Sequence, residues 1–201
     1  MPIPDLGVLR WPRSTERLSL RPATLDDVDA IHDYRSLPDF ARYVTHDVLT
    51  REEVVARVQK RAERSLVGAR KPGLGLAVEE RDGGRLVGDV MLMVKPARSI
   101  AGPVDAWEGV VGYGLHPEVH GRGYAVEVVT ELLSIGFGDL GLRRIRADAM
   151  AENVASNRVL EKVGMRLEAT EREASLGKDG RWLDVNWWAI LRGEWLDLRE
   201  D

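Results

Sequence analysis

The segment that most restricts the fold runs from Val111 to Ala125, reading Val-Gly-Tyr-Gly-Leu-His-Pro-Glu-Val-His-Gly-Arg-Gly-Tyr-Ala, with Val-Glu-Val-Val-Thr-Glu-Leu-Leu directly after it. A strand, a glycine-rich turn and a helix must follow one another without a gap. Glycines at 121 and 123 let the backbone turn tightly and come close to a ligand. The free N–H groups of the first helical turn and the positive end of the helix dipole then converge on one point, which suits an anion. No lysine is required. A Walker-type loop would end in Gly-Lys-Ser or Gly-Lys-Thr, and a dinucleotide fingerprint would place Gly-x-Gly-x-x-Gly early in a parallel unit. This loop does neither, and it comes past the middle of the chain, after segments that read as antiparallel hairpins. The plain alternative is a helix start with two convenient glycines.

A second constellation follows. Asn153-Val-Ala-Ser156-Asn157-Arg-Val-Leu160-Glu-Lys-Val-Gly164-Met165 opens with an Asn-x-x-Ser cap signal, spaces Val154, Val159, Leu160 and Val163 as a helix would, and ends at Gly164. A strand-like stretch, Arg144-Ile-Arg-Ala-Asp-Ala-Met150, lies between it and the glycine turn. In this order the segments resemble the Gcn5-related N-acetyltransferase (GNAT) family, and within it the RimJ/RimL-like ribosomal-protein N-acetyltransferases. The resemblance covers nearly the whole chain. Thr15 to Pro22 is similar to the branch's opening strand, and Lys178 to Leu191 to its closing hairpin, with Glu194-Trp195 just beyond.

The resemblance implies an α/β (α+β) fold in which a mixed, mostly antiparallel sheet of about seven strands is flanked by about four helices. It also implies transfer of an acetyl group from acetyl-CoA, the co-substrate, directly to a primary amine such as a protein N-terminal α-amine or a small molecule. The loop His120, Gly121, Arg122, Gly123, Tyr124 and Ala125 would hold the phosphates. The main chain at Tyr113, Gly114 and Leu115 would bond the pantetheine arm, with Asn153 and Asn157 as further cofactor contacts. Two positions depart from the family pattern. His120 stands where arginine or glutamine is usual, which is tolerable if main-chain N–H groups do most of the binding. Leu160 stands where a tyrosine usually protonates the departing thiolate. Ser156 is the substitute for that role, its alternative being a simple capping-turn residue. The base that deprotonates the amine is sought at Glu173, with Glu171 nearby, or at Glu108. Two other classes stay open. A non-catalytic acyl-CoA sensor would suit Leu160, and a donor such as succinyl-CoA would leave the same cofactor motif.

Composition narrows the rest. A chain of 201 residues with 44% hydrophobic content can bury a sizeable core as one domain, residues 1–201, with an irregular arm over 1–15. A formal charge of −4 with interspersed acids and bases leaves no footprint for nucleic acid. The helix-like stretch Arg51 to Arg70, with its helical segment from Arg51 to Leu66, is locally basic through Arg57, Lys60, Arg61 and Arg64, and interleaved glutamates make it read as a solvated face. With no cysteine, disulfides, thiolate metal sites and a covalent acyl-cysteine route are excluded. Histidines at 32, 46, 116 and 120 lack zinc-type spacing, so no metal is expected. No apolar stretch is long enough for a bilayer, and Met-Pro-Ile-Pro-Asp is not a signal sequence, so a cytoplasmic protein without membrane partners is expected. A homodimer is among the expectations. Trp182, Trp187, Trp188 and Trp195 read as core or as a wall of a dimer or substrate channel.

Further elements are a helix over Leu25 to Ser36 and strands at Gly75 to Glu80 and Arg85 to Met93 around Arg-Asp-Gly-Gly. A strand over Trp107 to Leu115 and a final hairpin on Asp179-Gly180 complete the set. The segment from Pro96 to Val104 reads as a loop. The first two helices and the last hairpin are expected to build the acceptor channel.

Overall fold

The strand, turn and helix around the two glycines form as expected. A computed structural model describes residues 5–65, 69, 71–102 and 104–199 of the chain. It holds one sheet built from β1 (Arg13–Ser14), β2 (Leu18–Pro22), β3 (Gly73–Glu80), β4 (Leu86–Pro96), β5 (Trp107–Leu115), β6 (Arg144–Met150), β7 (Arg166–Leu176) and β8 (Trp182–Leu191), in the spatial order β1-β2-β3-β4-β5-β6-β8-β7. The eighth strand comes from the amino-terminal arm. Arg13 and Ser14 pair with Leu20 and Ser19, and Asp5 caps a short turn at Leu6–Val8, so the described part of the arm is ordered against the sheet. Residues 1–4 lie outside the described part.

Among the described residues there are six α-helices rather than about four: α1 (Val28–Arg35), α2 (Pro38–Ala41), α3 (Arg51–Arg64), α4 (Tyr124–Ser134), α5 (Val154–Lys162) and α6 (Arg192–Asp197). The unexpected ones, α2 and α6, are too short to show a periodic pattern. Proline at the first position starts α2, and Glu194 starts α6 by accepting from the Leu191 N–H at 2.9 Å. Leu66, the expected end of α3, lies outside the described residues. Helix α3 begins on a capping box in which Thr50 and Glu53 each bond the other's main chain. Helix α5 ends in a Schellman turn, with Gly164 at φ +83, its N–H on the Glu161 carbonyl and that of Met165 on the Leu160 carbonyl. Among the described residues no helix is long and apolar enough to cross a membrane.

All pairings are antiparallel except that of β5 with β6, which α4 connects. That exception creates the site. β5 and β6 are in register only at Glu108↔Arg144, Gly109↔Ile145 and Val110↔Arg146, although β5 continues to Leu115 and β6 to Met150. Beyond Val110 the strands part. On one face α4 buries Val128, Val129, Leu132 and Leu133, and the chain runs on through a π turn (Ile135–Asp139) that buries Ile135 and Phe137. The other face carries α1 and α3 over a smaller cluster of Val28, Ile31, Tyr34, Leu49, Val54 and Val58.

Candidate active site

Antiparallel pairing decides which main-chain groups face the opening. The His116 N–H bonds the Val87 carbonyl, so even-numbered residues of β5 bond β4 while odd-numbered ones turn toward β6. Past Val110, Tyr113 and the Leu115 N–H therefore point into the gap with no strand to receive them. Gly114 is a correction to the expected pantetheine contacts, because its main chain belongs to the β4 ladder opposite Asp89. Its role is spatial. A Cβ there would lie 2.6 Å from Phe40 Cζ, so only glycine lets α2 close on this strand.

The loop is built to present N–H groups. Gly121 and Gly123 have φ of +78 and +81, and Gly123 is the N-cap of α4 without any side chain to cap it. The N–H groups of Gly123 to Val126 find no acceptor among the described residues. Side chains brace the loop from outside. Arg17 donates to the Arg122 carbonyl and to Glu127, and Tyr124 OH donates to Glu80 at 2.8 Å. Arg122 itself lies 3.6 Å from Glu80. His120 turns inward, and its Nε2–H donates to the Leu115 carbonyl at 3.1 Å, closing the loop on the end of β5. Ala125 packs against the core. The groups the loop leaves open are main-chain N–H groups rather than a lysine side chain.

Asn153 accepts from the Ser156 N–H at 3.2 Å and so is the cap of α5, which leaves the Ser156 hydroxyl free of that duty. Ser156 Oγ lies 2.7 Å from the Tyr113 hydroxyl, and burial pushes the Tyr113 phenol up to about 12. A tyrosine hydroxyl thus does meet Ser156, from the opposite wall and from a β5 residue whose main chain alone had attracted notice. Leu160 is fully buried in the core. Asn157 corrects the expectation of a pantetheine contact. Its Nδ2 donates to the Met150 and Asn153 carbonyls, and its Oδ1 accepts from Asn186 and Trp188, so its amide is fully used in holding α5 to β6 and β8. Trp188 and Trp195 are buried as expected, whereas Trp182 is exposed.

The two glutamates do not reach the opening as expected. Glu108 sits at the closed end of the β5–β6 pair, buried and held by Arg143 at 2.9 Å, on the order of 16 Å of strand from Tyr113. Glu173 is exposed at a bulge in β7, with φ +49 and its N–H on Asp184. Another carboxylate is better placed. Extending the register past Val110 sets Asp148 across the gap from Gly112, and Met150 across from Gly114. Asp148 reaches solvent, yet crowding around its carboxyl raises its pKa. It faces the α1–α3 side of the sheet, while Tyr113 and Ser156 meet on the α4–α5 side. Only the register could reveal this residue.

On that first side a cavity of about 260 Å³ opens between the chain after α2 and the β7–β8 hairpin, lined by Arg42, His46, Asp47, Met150, Ser175 and Lys178 among others. The final hairpin contributes to it as expected of the acceptor channel, whereas the first two expected helices do not line it, the stretch from Arg42 to Asp47 doing so instead. No group of three His, Cys, Asp or Glu side chains among the described residues could hold a metal ion.

A parted strand pair, a main-chain anion cradle at its mouth and a hydroxyl pair inside it define an acyl-CoA-dependent transferase. Comparison with known proteins agrees. Residues 17–166 match the family model of the acetyltransferase (GNAT) domain, and the chain belongs to that family. It is 30% identical over 182 residues to the uncharacterized N-acetyltransferase YnaD of Bacillus subtilis, covering 90% of this chain and 98% of the relative. The spermidine N-acetyltransferase of Vibrio cholerae, solved with CoA and spermine, superposes with a TM-score of 0.74 at 22% identity, covering 90% of this chain and 99% of that one. The ribosomal L7/L12 α-N-protein acetyltransferase RimL, solved with CoA, gives 0.72 at 21%, covering 89% and 96%. The chain is thus an acyl-CoA-dependent N-acetyltransferase of the GNAT family.

Proposed function

We propose that this enzyme moves an acetyl group from acetyl-CoA to a primary amine that enters from the α1–α3 side of the sheet. The observation that carries this reading is the Ser156–Tyr113 hydroxyl pair, 2.7 Å apart, on the opposite side of the gap from Asp148. The co-substrate supplies an electrophilic thioester carbonyl and a thiolate leaving group. The residues present fit it, because Gly123 to Val126 offer unpaired N–H groups to a pyrophosphate and Tyr113 offers main-chain groups to an extended arm. The Tyr113 N–H, fixed in the strand, can also polarise the carbonyl without reorganising solvent.

The N–C bond forms as the C–S bond breaks. Asp148 takes the proton that the attacking amine loses, and Ser156, its hydroxyl oriented by Tyr113, donates a hydrogen bond to the departing sulfur, which leaves as a thiolate and takes its proton from solvent. Asp148 and the Ser156–Tyr113 pair thus lie on opposite faces of the sheet, so separate groups serve the attacking amine and the departing sulfur. With the hydroxyl supplied by Tyr113, Leu160 no longer favours a silent acyl-CoA sensor.

A protein α-amine, as in the name of RimL, and a small amine share this chemistry. Release of CoA thiol from acetyl-CoA on addition of an amine tests the reading. Turnover is expected with at least one member of a panel of peptide N-termini and small primary amines. CoA binding without any amine-dependent thiol release across that panel overturns it.

A further inference from the structure

Trp187 stands beside Asp148 on the α1–α3 side of the sheet. Its neighbours Asn186 and Trp188 both bond Asn157 on α5, so the alternation of the strand turns Trp187 to the opposite face, the one that carries Asp148. The register of β6 and β8 sets the two residues directly opposite each other. The Ala151 N–H bonds the Asp184 carbonyl and the Arg192 N–H bonds the Arg143 carbonyl, which makes the odd-numbered residues of β6 its hydrogen-bonded positions. Asp148 and Trp187 are therefore a non-hydrogen-bonded pair, the kind in which opposite side chains come closest, with Cβ atoms about 5 Å apart.

A hydrogen bond fixes the indole. Trp187 Nε1–H donates to Glu171 Oε2 on β7 at 3.0 Å, while Ala169, directly opposite Trp187 on that strand, is too small to hold it by packing. With its Nε1 edge turned to β7, the ring leaves its benzo edge toward β6 and Asp148. The other flank of Asp148 is the gap itself. Across it lies Gly112, which has no side chain, and the bulk nearest that glycine is Met91 of β4, whose Cε is 2.9 Å from where a Cβ would stand.

Charge does not account for the raised pKa of Asp148. Loss of water around the carboxyl raises it, and Arg146, two residues away on the same face of β6, acts the other way. Glu171 is held beyond the indole, and His46, Asp47 and Lys178 line the cavity past Met150; none of them adds to the shift. Val110, Gly112 and Val185 carry no charge. The dry side of this carboxyl is therefore the side on which the indole stands.

We propose that Trp187, propped by Glu171, is a positioning residue of the amine site: its indole walls the β8 flank of the Asp148 carboxylate and leaves the gap side as the way in for the amine. A carboxylate dried on one flank is a stronger base, and a fixed wall restricts the directions from which an amine can reach it. The consequence for turnover rests on the acetyl-transfer reading with Asp148 as base, whereas the wall rests on the strand pairing alone.

Carboxyl-carbon NMR of aspartate-labelled protein tests the wall, the Asp148 signal being identified by its loss in Asp148→Asn. In the wild type its titration midpoint is expected above the ordinary aspartate value of about 3.9, and Trp187→Ala should bring it down to about that value or below, while Trp187→Phe keeps most of the rise. Glu171→Ala should lower the midpoint as well. Glu171→Gln loses the same charge but keeps an oxygen for the indole N–H, and should leave the midpoint in place. Glu171 is exposed, so this second pair of variants decides the matter if Trp187→Ala does not fold. The acid limb of kcat/KM should move to lower pH in step with the midpoint. A midpoint untouched by Trp187→Ala, or shifted alike by both Glu171 variants, overturns the wall. A Trp187-dependent midpoint beside an acid limb that Asp148→Asn leaves unchanged would keep the wall and overturn the part of Asp148 in acetyl transfer instead.

Discussion

Ser156 and Asn157 are neighbours on one helix, and the structure divides binding and holding between them. Asn157 meets four partners from β6, α5 and β8 with its single amide, while Ser156 keeps its hydroxyl for Tyr113. Replacing Ser156 with alanine should lower kcat at least about tenfold and leave CoA affinity nearly unchanged, since the lost bond matters chiefly as the sulfur departs. Tyr113→Phe should lower kcat in the same sense, and because burial holds that phenol near 12 the wild-type rate should show no loss from it up to about pH 10. Full turnover in Ser156→Ala, read beside its melting temperature, removes the role. Asp148 makes a separate prediction. Its pKa is raised by desolvation, so the base is present above that raised value and lost as pH falls through it. The acid limb of kcat/KM should therefore lie above the ordinary aspartate range, and Asp148→Asn should remove that limb along with about a hundredfold of rate. An acid limb unchanged in Asp148→Asn would assign the proton transfer elsewhere.

At the scale of elements, the start of α4 presents free main-chain N–H groups without any charged side chain, as the proposed cofactor site needs. Gly123 sits at φ +81, where a β-branched residue is strained, and a Cβ there has only Arg17 Nη2 near it, at 3.5 Å. The constraint is conformational rather than steric. Gly123→Val should turn the first N–H groups of α4 away from their common point and abolish the rise in melting temperature that CoA gives the wild-type protein. A variant that melts cooperatively and still shows the full shift would disprove the cradle. His120 works at the same scale as a brace from the loop to the Leu115 carbonyl, which explains why an imidazole can stand where a longer side chain is usual.

Across the whole molecule, Asp89 ties the α1–α3 layer to the sheet. Its carboxyl is held far below the usual aspartate range by Arg35, Arg61 and Tyr34, against the cost of its burial. A depressed carboxylate contributes stability that is present above its unfolded pKa of about 3.9 and is lost as pH falls below that value toward its folded one. Asp89→Asn should then cost about 3–5 kcal/mol at neutral pH, because two arginines lose their shared partner. The gap to wild type, measured by urea unfolding from pH 7 to pH 3, should begin to narrow only below about pH 4. A gap that stays constant through pH 3 would show that the carboxylate's charge is not what binds the layers.

The elements of this protein were legible because they rest on local rules: glycines at 83, 84, 121, 123, 164 and 180 all take positive φ where turns or helix ends were read, and β5 and β6 begin and end as the sequence indicated. The shape of the proposed cradle was legible for the same reason, since its turn and helix start are written in the spacing of Gly121 and Gly123. Side-chain roles were not. Whether Asn157 faces a ligand or a carbonyl, whether Arg61 faces water or Asp89, and whether a hydroxyl reaches Ser156 from Leu160's helix or from Tyr113's strand all depend on which segments distant in sequence become neighbours. By itself the sequence determined where strands and helices start, where the backbone turns, and that an anion could be met by N–H groups. Only the tertiary structure decided that β5 and β6 part after Val110, because three registered pairs and the packing of α4 and α5 set that opening, and with it the side of the sheet on which each functional group stands.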